Sequence, residues 1–112
     1  MSELKTLQEI CNELGVTRRT VQGYEKANLV SRAGKNKYGY LLFGEAERDR
    51  IRRIKLYQQF GFKIKEIKNL IDAPDCIVKE TLERQVLILK KEQEELNTLI
   101  EIAKELIAEL GK

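Results

Sequence analysis

Two short runs near the start of the chain place apolar residues at helical spacing. Thr6-Leu-Gln-Glu9 fits a capping box, in which the Thr hydroxyl and the Glu carboxylate each satisfy a backbone N–H at a helix start. One apolar face follows, at Leu7, Ile10, Cys11 and Leu14. Gly15 suits the left-handed residue that ends a helix, and Thr17 is a good N-cap for the next one. The pattern predicts helices over about 6–14 and 17–27, joined by a turn, which is the arrangement of a helix-turn-helix.

The pattern changes between residues 28 and 43. Two short apolar runs, Leu29-Val30 and Tyr40-Leu-Leu-Phe43, flank a segment rich in glycine and lysine. This predicts two short strands joined by a basic loop, and a hairpin beside a helix-turn-helix is a wing.

Helical spacing returns after the predicted wing. Gly44 precedes an acidic helix start, and the apolar positions that follow predict a helix over 45–60. A further helix is predicted over 64–72, and Pro74 ends it. We therefore expect a mainly α fold, with a winged helix-turn-helix DNA-binding domain over residues 1–73.

From Asp75 the chain has no Gly or Pro until Gly111, and one apolar seam steps by four and three throughout. The seam comprises Leu82, Val86, Leu89, Gln93, Leu96, Ile100, Ala103, Ile107 and Leu110. Such a heptad pattern is typical of a coiled coil, and a polar residue such as Gln93 can set its register. The alternative is a helix folded back on its own domain, but the length of the seam favours a dimerisation helix over 75–110.

Charge is distributed unevenly along the 112 residues. Residues 17–68 carry 14 Lys or Arg against five Asp or Glu, a balance of +9 within a chain whose formal net charge is +3. A local basic surface of this kind indicates a polyanion partner, here double-stranded DNA. The absence of His, of a glycine-rich phosphate loop and of a convergent carboxylate pair argues against an enzyme, and no cofactor is expected.

Composition also bears on location. The two cysteines, Cys11 and Cys76, are too few and too far apart for a disulfide framework, so reduced thiols are expected. There is no apolar run near 18 residues and no signal-peptide pattern, so we expect a cytoplasmic protein without a membrane partner.

The second helix carries the first group of candidate DNA contacts. Arg18, Arg19 and Gln22 share its exposed face, where Arg can read guanine, Gln can read adenine, and either can bind phosphate alone. Thr17 is expected to act as a cap or phosphate ligand. For Tyr24 two roles are open, a hydroxyl donated to phosphate or a buried buttress for the wing.

Basic and aromatic residues with glycine suit a clamp on the DNA backbone, and the wing holds such a set. Its candidate contacts are Arg32, Lys35, Lys37, Tyr38 and Tyr40. Lys63 and Lys65, at the start of the fourth helix, extend the basic patch. So do Arg48, Arg52 and Lys55 of the third helix, and we expect most of these five residues to be solvated.

The order of these elements resembles the MerR family of bacterial transcription regulators over essentially the whole chain. The supporting residues are Gly15-Val-Thr-Arg-Arg-Thr-Val, Tyr24-Glu25, Leu29, Gly39-Tyr40, Phe60-Gly61-Phe62 and Glu66-Ile67. The chain departs from the family pattern at Gln22 and Gly23, where the family has Arg and an aromatic residue, at Asn28, and at Leu41 in place of a wing Arg. These departures concern the preferred DNA sequence.

The resemblance implies a homodimer whose long helices pair antiparallel and set two wings on a pseudo-palindromic promoter. Family members distort promoter DNA so that RNA polymerase can engage it, which makes the polymerase an indirect partner. The alternative is an architectural or accessory protein that uses the same module without regulating a promoter. Metal-responsive relatives carry a cysteine near the position of Cys76, but the remaining ligands are absent here, so no metal site is predicted; a thiol or metal sensor at Cys76 is the less favoured alternative to a plain residue at the helix start.

Overall fold

The computed structural model describes residues 4–112, which divide into two compact units, one ending at Asp72 and one beginning at Ala73. The first unit contains helices α1 (Leu7–Leu14), α2 (Arg18–Lys26), α3 (Glu45–Gln59) and α4 (Ile64–Leu70). It also contains the strands β1 (Lys5–Thr6), β2 (Gly34–Lys35) and β3 (Leu41–Phe43). The second unit is formed by one helix, α5 (Asp75–Leu110). A mainly helical chain with a small antiparallel sheet and a long C-terminal helix confirms the predicted fold class.

Local side-chain chemistry fixes the ends of α1 and α2. The Thr6 hydroxyl accepts from the Glu9 N–H at 3.3 Å, and the Glu9 carboxylate accepts from the Thr6 N–H at 3.0 Å, so the predicted capping box is present. Gly15 ends α1 in the left-handed region with φ of 66°. The Thr17 hydroxyl accepts from the Thr20 N–H at 3.1 Å and caps α2. Residues within one helical turn thus fix where α1 begins and ends and where α2 begins.

The sheet has the order β1-β3-β2 and is antiparallel throughout. Lys5 pairs with Phe43 and Gly34 pairs with Leu42, so the central strand β3 ties the start of the chain to the wing. Phe43 is fully buried, and this anchors the base of the wing in the core.

The strand predicted at Leu29-Val30 is wrong. Both residues are buried but lie in irregular backbone, because Asn28 adopts a φ of 62° and turns the chain sharply after α2. The partner of β3 in the wing is instead Gly34–Lys35, inside the segment predicted as a loop, and β1 was not predicted at all. Apolar runs indicate burial, and here burial and strand pairing fall on different residues.

The core of the first unit draws on every helix in it. Its fully buried side chains are Ile10, Val21, Leu29, Phe43, Ile51, Ile54 and Ile67. Tyr57 and Phe62 add an edge-to-face aromatic pair with ring centroids 6.2 Å apart across the turn between α3 and α4. Gly61 permits that turn with a φ of 107°.

Helix α5 runs for 36 residues, which corresponds to a length of about 54 Å. None of its residues is buried in the single chain. Most of its apolar side chains are instead solvent-exposed, including Leu96 at 60%, Ile100 at 49% and Ile107 at 68%.

Candidate nucleic-acid interface

Helix α2 has one buried face and one exposed face. Val21 and Tyr24 are buried against the core, at 0% and 2% exposure. Arg18, Arg19 and Gln22 are exposed, as the sequence predicted. Residues 4–112 provide no ion-pair partner to either arginine, so both guanidinium groups are available to an external anion.

Tyr24 is a buttress in this structure. Its hydroxyl donates to Gln58 Oε1 of α3 at 2.5 Å, and burial raises the pKa of the phenol above its ordinary value. The hydroxyl therefore links α2 to α3 through a hydrogen bond. Of the two roles left open by the sequence, the geometry disfavours the phosphate contact proposed for Tyr24.

The tip of the wing is a tight turn organised by one asparagine. The Asn36 carbonyl accepts from the Gly39 N–H at 3.0 Å, and its side-chain oxygen accepts from the N–H groups of Tyr38 and Tyr40 at 2.9 and 3.0 Å. Gly39 supplies the left-handed conformation, with φ of 82°. Asn36 was not among the candidate residues, although an asparagine three residues before glycine is a recognisable turn signal.

This turn projects one cation and two aromatic rings into solvent. Tyr38 and Tyr40 are 71% and 57% exposed, and Lys37 Nζ lies 5.1 Å from the centroid of the Tyr38 ring. Lys35 belongs to β2, one step below the turn, and is also exposed. Arg32 differs from these residues because its Nε donates to Glu25 at 3.0 Å, which ties the start of the wing to α2.

A surface groove of about 490 Å³ brings the two halves of the candidate interface together. It is lined by Thr6, Leu7, Gln8, Arg18, Gln22, Gly39, Tyr40 and Leu41. The start of α1, the exposed face of α2 and the wing thus border one concave surface. Lys63, the N-cap of α4, and Lys65, in the first turn of that helix, do not line it.

Three of the five cations expected to extend the basic patch, Arg52, Lys63 and Lys65, are exposed, whereas Arg48 and Lys55 are held within the fold. Arg48 contacts Glu13 at 3.3 Å, and Arg52 contacts Asp49 at 3.5 Å. Lys55 Nζ donates to the Leu14 carbonyl at 2.7 Å, at the C-terminal end of α1. Such a cation satisfies a free carbonyl and complements the negative end of the helix. Arg48 and Lys55 of α3 are thus satisfied within the fold, whereas the described residues offer no ion-pair partner to Arg18 and Arg19 of α2 or to Lys35 and Lys37 of the wing.

Two further residues share the exposed face of α2. Lys26 lies four positions after Gln22, and Gly23 lies four positions after Arg19, so helical spacing groups all four side by side. Both are exposed. The sequence signal for Lys26 was this spacing, although its position in the last turn of α2 also allows a role at the helix end.

The two cysteines lie in different surroundings. Cys11 is buried, and burial raises the pKa of its thiol, with Arg18 acting in the opposite direction. Cys76 is exposed near the start of α5. Across residues 4–112 no three His, Cys, Asp or Glu side chains are grouped so that they could hold a metal ion. In the same part of the chain, no helix combines the length and apolar character needed to cross a membrane.

A helix-turn-helix whose second helix presents free arginines, beside an antiparallel wing with a basic and aromatic tip, defines the winged helix-turn-helix class of DNA-binding module. Comparison with known families assigns the chain within this class. Residues 5–74 match the model of the MerR HTH family regulatory protein, and residues 48–112 match that of the MerR DNA-binding region. The chain belongs to the MerR family of helix-turn-helix regulatory proteins.

Several characterised proteins are similar in sequence. The HTH-type transcriptional activator mta of Bacillus subtilis is 27% identical over 95 residues, which cover 85% of this chain and 37% of that protein. The mercuric resistance operon regulatory protein of Bacillus cereus is 30% identical over 67 residues, covering 60% of this chain and 51% of that protein. The chain therefore spans about a third to a half of the length of these relatives.

Solved structures share the fold. A MerR family transcriptional regulator from Bacillus cereus matches with a TM-score of 0.83 at 22% identity, covering 98% of this chain and 84% of that one. The N-terminal part of the Bacillus subtilis multidrug transporter activator matches with a TM-score of 0.72 at 25% identity, covering 92% and 97%. HiNmlR, described as a MerR family regulator lacking the sensor domain and bound to promoter DNA, matches with a TM-score of 0.73 at 20% identity, covering 95% and 89%.

Proposed function

We propose that this chain is a homodimeric transcriptional regulator that binds a pseudo-palindromic promoter through two copies of the surface formed by α2 and the wing. One observation carries the proposal. Arg18, Gln22 and Tyr40 border a single groove, and the described residues offer no ion-pair partner to the cations of α2 or the wing tip, whereas Arg48 and Lys55 of neighbouring α3 are held within the fold. A surface that keeps cations unpaired and exposed suits a polyanion rather than self-packing.

In this proposal α2 acts as the recognition helix. Arg19 and Gln22 extend into the major groove, where Arg binds guanine O6 and N7 and Gln binds adenine N6 and N7. Thr17 and Arg18 lie at the helix start, which favours phosphate. The wing contributes Lys35, Lys37, Tyr38 and Tyr40 as contacts to the flanking backbone, with Arg32 held near them by Glu25. Lys63 and Lys65 add longer-range attraction for the duplex.

Residues 1–73 form the DNA-binding domain and residues 75–110 form the dimerisation helix of this proposal. Support comes from the apolar seam of α5, whose residues Val86, Leu96 and Ile100 are 46%, 60% and 49% exposed in the single chain. A continuous apolar stripe on a helix of this length is costly in water and is relieved by a second copy. Antiparallel pairing would relate the two DNA-binding domains by a two-fold axis, as a pseudo-palindrome requires.

Promoter distortion is the proposed mode of action, with RNA polymerase as an indirect partner in the cytoplasm. Family membership and a fold shared with a regulator bound to promoter DNA support this assignment. Two wings held on one face of a duplex can bend it, and the bending energy then depends on the DNA sequence between the half-sites.

Substitution of Arg19 tests the proposal. In Arg19→Ala each half-site loses one cationic contact, so we expect site affinity to fall by about 1–3 kcal/mol for each half-site. Arg84→Ala is the matched control, because Arg84 is an exposed arginine of α5 whose partner is Glu80 at 3.4 Å. Fluorescence anisotropy with a selected duplex measures both. Equal affinity of Arg19→Ala and the unmodified protein would refute the recognition role of α2.

A transcription assay then separates a regulator from an accessory DNA-binding protein. A template carrying the selected site upstream of a reporter start should change its output on addition of the protein. Occupancy of the site without any change in transcript level would contradict the regulatory part of the proposal.

A further inference from the structure

Gly23 interrupts the exposed face of α2. It lies inside the helix, which runs from Arg18 to Lys26, and it is exposed. Arg19 precedes it by four positions and Lys26 follows it by three, so both long side chains lie beside it on the helix surface. Between these two stems the surface has a notch, where any other residue would place a side chain.

The fold itself does not call for glycine at this position. A Cβ built on Gly23 meets no atom within 4 Å, and its backbone is helical, with no left-handed conformation. Glycine in a helix interior is unfavourable relative to alanine, because it has more conformational freedom to lose. By contrast Gly15 and Gly39 adopt φ of 66° and 82°, where glycine is favoured.

Asn28 sharpens this contrast. It takes a φ of 62° at the end of α2, where glycine would be the least strained residue. The chain thus has a non-glycine residue where the backbone favours glycine, and a glycine where the backbone favours another residue. Local choices that oppose the fold are concentrated at functional surfaces.

The notch offers no free polar group. The Gly23 carbonyl accepts from the Ala27 N–H at 3.0 Å, and its N–H belongs to the helical ladder. A base edge with a hydrogen-bonding group pressed against this surface would lose its water without gaining a partner, which is unfavourable. The C5-methyl of thymine is the apolar group that projects into the major groove, and it loses nothing there.

We propose that Gly23 is a specificity-determining residue, whose missing side chain forms a notch that receives a thymine methyl group in each half-site. The aliphatic stems of Arg19 and Lys26 form its walls. This inference rests on the proposed function, since it takes α2 as the recognition helix.

The test combines two substitutions with removal of the methyl group from DNA. Gly23→Ala and Gly23→Leu are made in the full chain, and each thymine of the selected site is replaced in turn by deoxyuridine. Both variants should be more stable, with Gly23→Ala raising the thermal midpoint by about 4 °C. Affinity should fall by about tenfold or more for Gly23→Ala, and further for Gly23→Leu, because the added atoms occupy the space of the methyl group.

Deoxyuridine identifies the base. At one position of each half-site it should weaken binding of the unmodified protein by about fourfold, the effect of losing one buried methyl group. At that position the same replacement should not weaken binding of Gly23→Ala, since the notch is already filled. Deoxyuridine at other positions should act equally on both proteins.

Three outcomes would overturn the inference. They are a Gly23→Ala variant that binds as tightly as the unmodified protein, a loss of affinity not coupled to any thymine, and a variant less stable than the unmodified protein. In each case the unmodified protein still binds its site selectively, so the proposed function stands. If the unmodified protein shows no sequence preference, the proposed function fails as well.

Discussion

Truncation of one leucine on the α5 seam should weaken the proposed dimer strongly. Leu96 lies near the middle of the seam and is 60% exposed in the single chain, so more than half of its surface remains to be buried by a partner. Leu87 is the matched control. It is 68% exposed, but its position one residue after Val86 places it off the seam.

The size of the effect follows from these exposures. Full burial of a leucine side chain is worth about 2 kcal/mol, so the 60% still exposed corresponds to roughly 1.2 kcal/mol. A symmetric dimer contains two copies of Leu96, which makes about 2.4 kcal/mol in total. We therefore expect Leu96→Ala to raise the dimer dissociation constant about 60-fold, and Leu87→Ala to change it less than about threefold.

Analytical ultracentrifugation over a dilution series measures the dissociation constant of both variants. Far-ultraviolet circular dichroism confirms that each remains helical at the concentrations used. Equal dissociation constants for Leu96→Ala and Leu87→Ala would refute the seam as the dimer contact. A protein that sediments as a monomer at every concentration would refute the dimer itself.

Two further predictions concern the DNA-binding unit. Tyr24→Phe removes the hydrogen bond to Gln58 and should lower the free energy of unfolding by about 1 kcal/mol without changing the DNA affinity of the folded protein. Tyr40→Phe on the exposed wing should lower the DNA affinity without changing the free energy of unfolding. Chemical denaturation measures the stability of both variants, and fluorescence anisotropy measures their DNA affinity. In acid, stability should fall because three carboxyl groups have lowered pKa values, Glu9 through the Thr6 N–H, Glu13 through Lys5 and Asp72 through Arg50. The three carboxylates contribute their full stabilisation above the ordinary pKa values of 4.5 for Glu and 3.8 for Asp, and this stabilisation is lost as pH falls through the lowered pKa values of the folded protein. The thermal midpoint should therefore be level from about pH 7 to 5 and drop below about pH 4.5. A midpoint that rises in acid would contradict these assignments.

The sequence predicted those features whose cause is local. The capping box at Thr6, the cap at Thr17 and the glycine that ends α1 each depend on residues within one helical turn, and all three are present. The wing strands depend on pairing between residues far apart in the chain. Because β1 pairs with β3 across 38 residues, from Lys5 to Phe43, no local pattern indicated it.

The candidate site shows the same division. Exposure of Arg18, Arg19 and Gln22 followed from helical spacing, since it requires only the period of α2. The partners of the α3 cations could not be predicted from helical spacing, because tertiary contacts pair Arg48 with Glu13 and Lys55 with the Leu14 carbonyl. The Tyr24 hydroxyl likewise meets Gln58, 34 positions later. Charge counted along the sequence therefore overstated the free basic surface.

Selection of bound sequences from random duplex DNA tests the central claim most directly. The central claim is that the two protomers of a dimer bind one promoter through identical surfaces, each formed by α2 and the wing. We predict that the selected duplexes share two inverted half-sites at one fixed spacing. Affinity should also fall steeply with salt, because two wings make many phosphate contacts. Recovery of a single unpaired half-site, or of duplexes with no shared sequence, would refute binding by two identical surfaces.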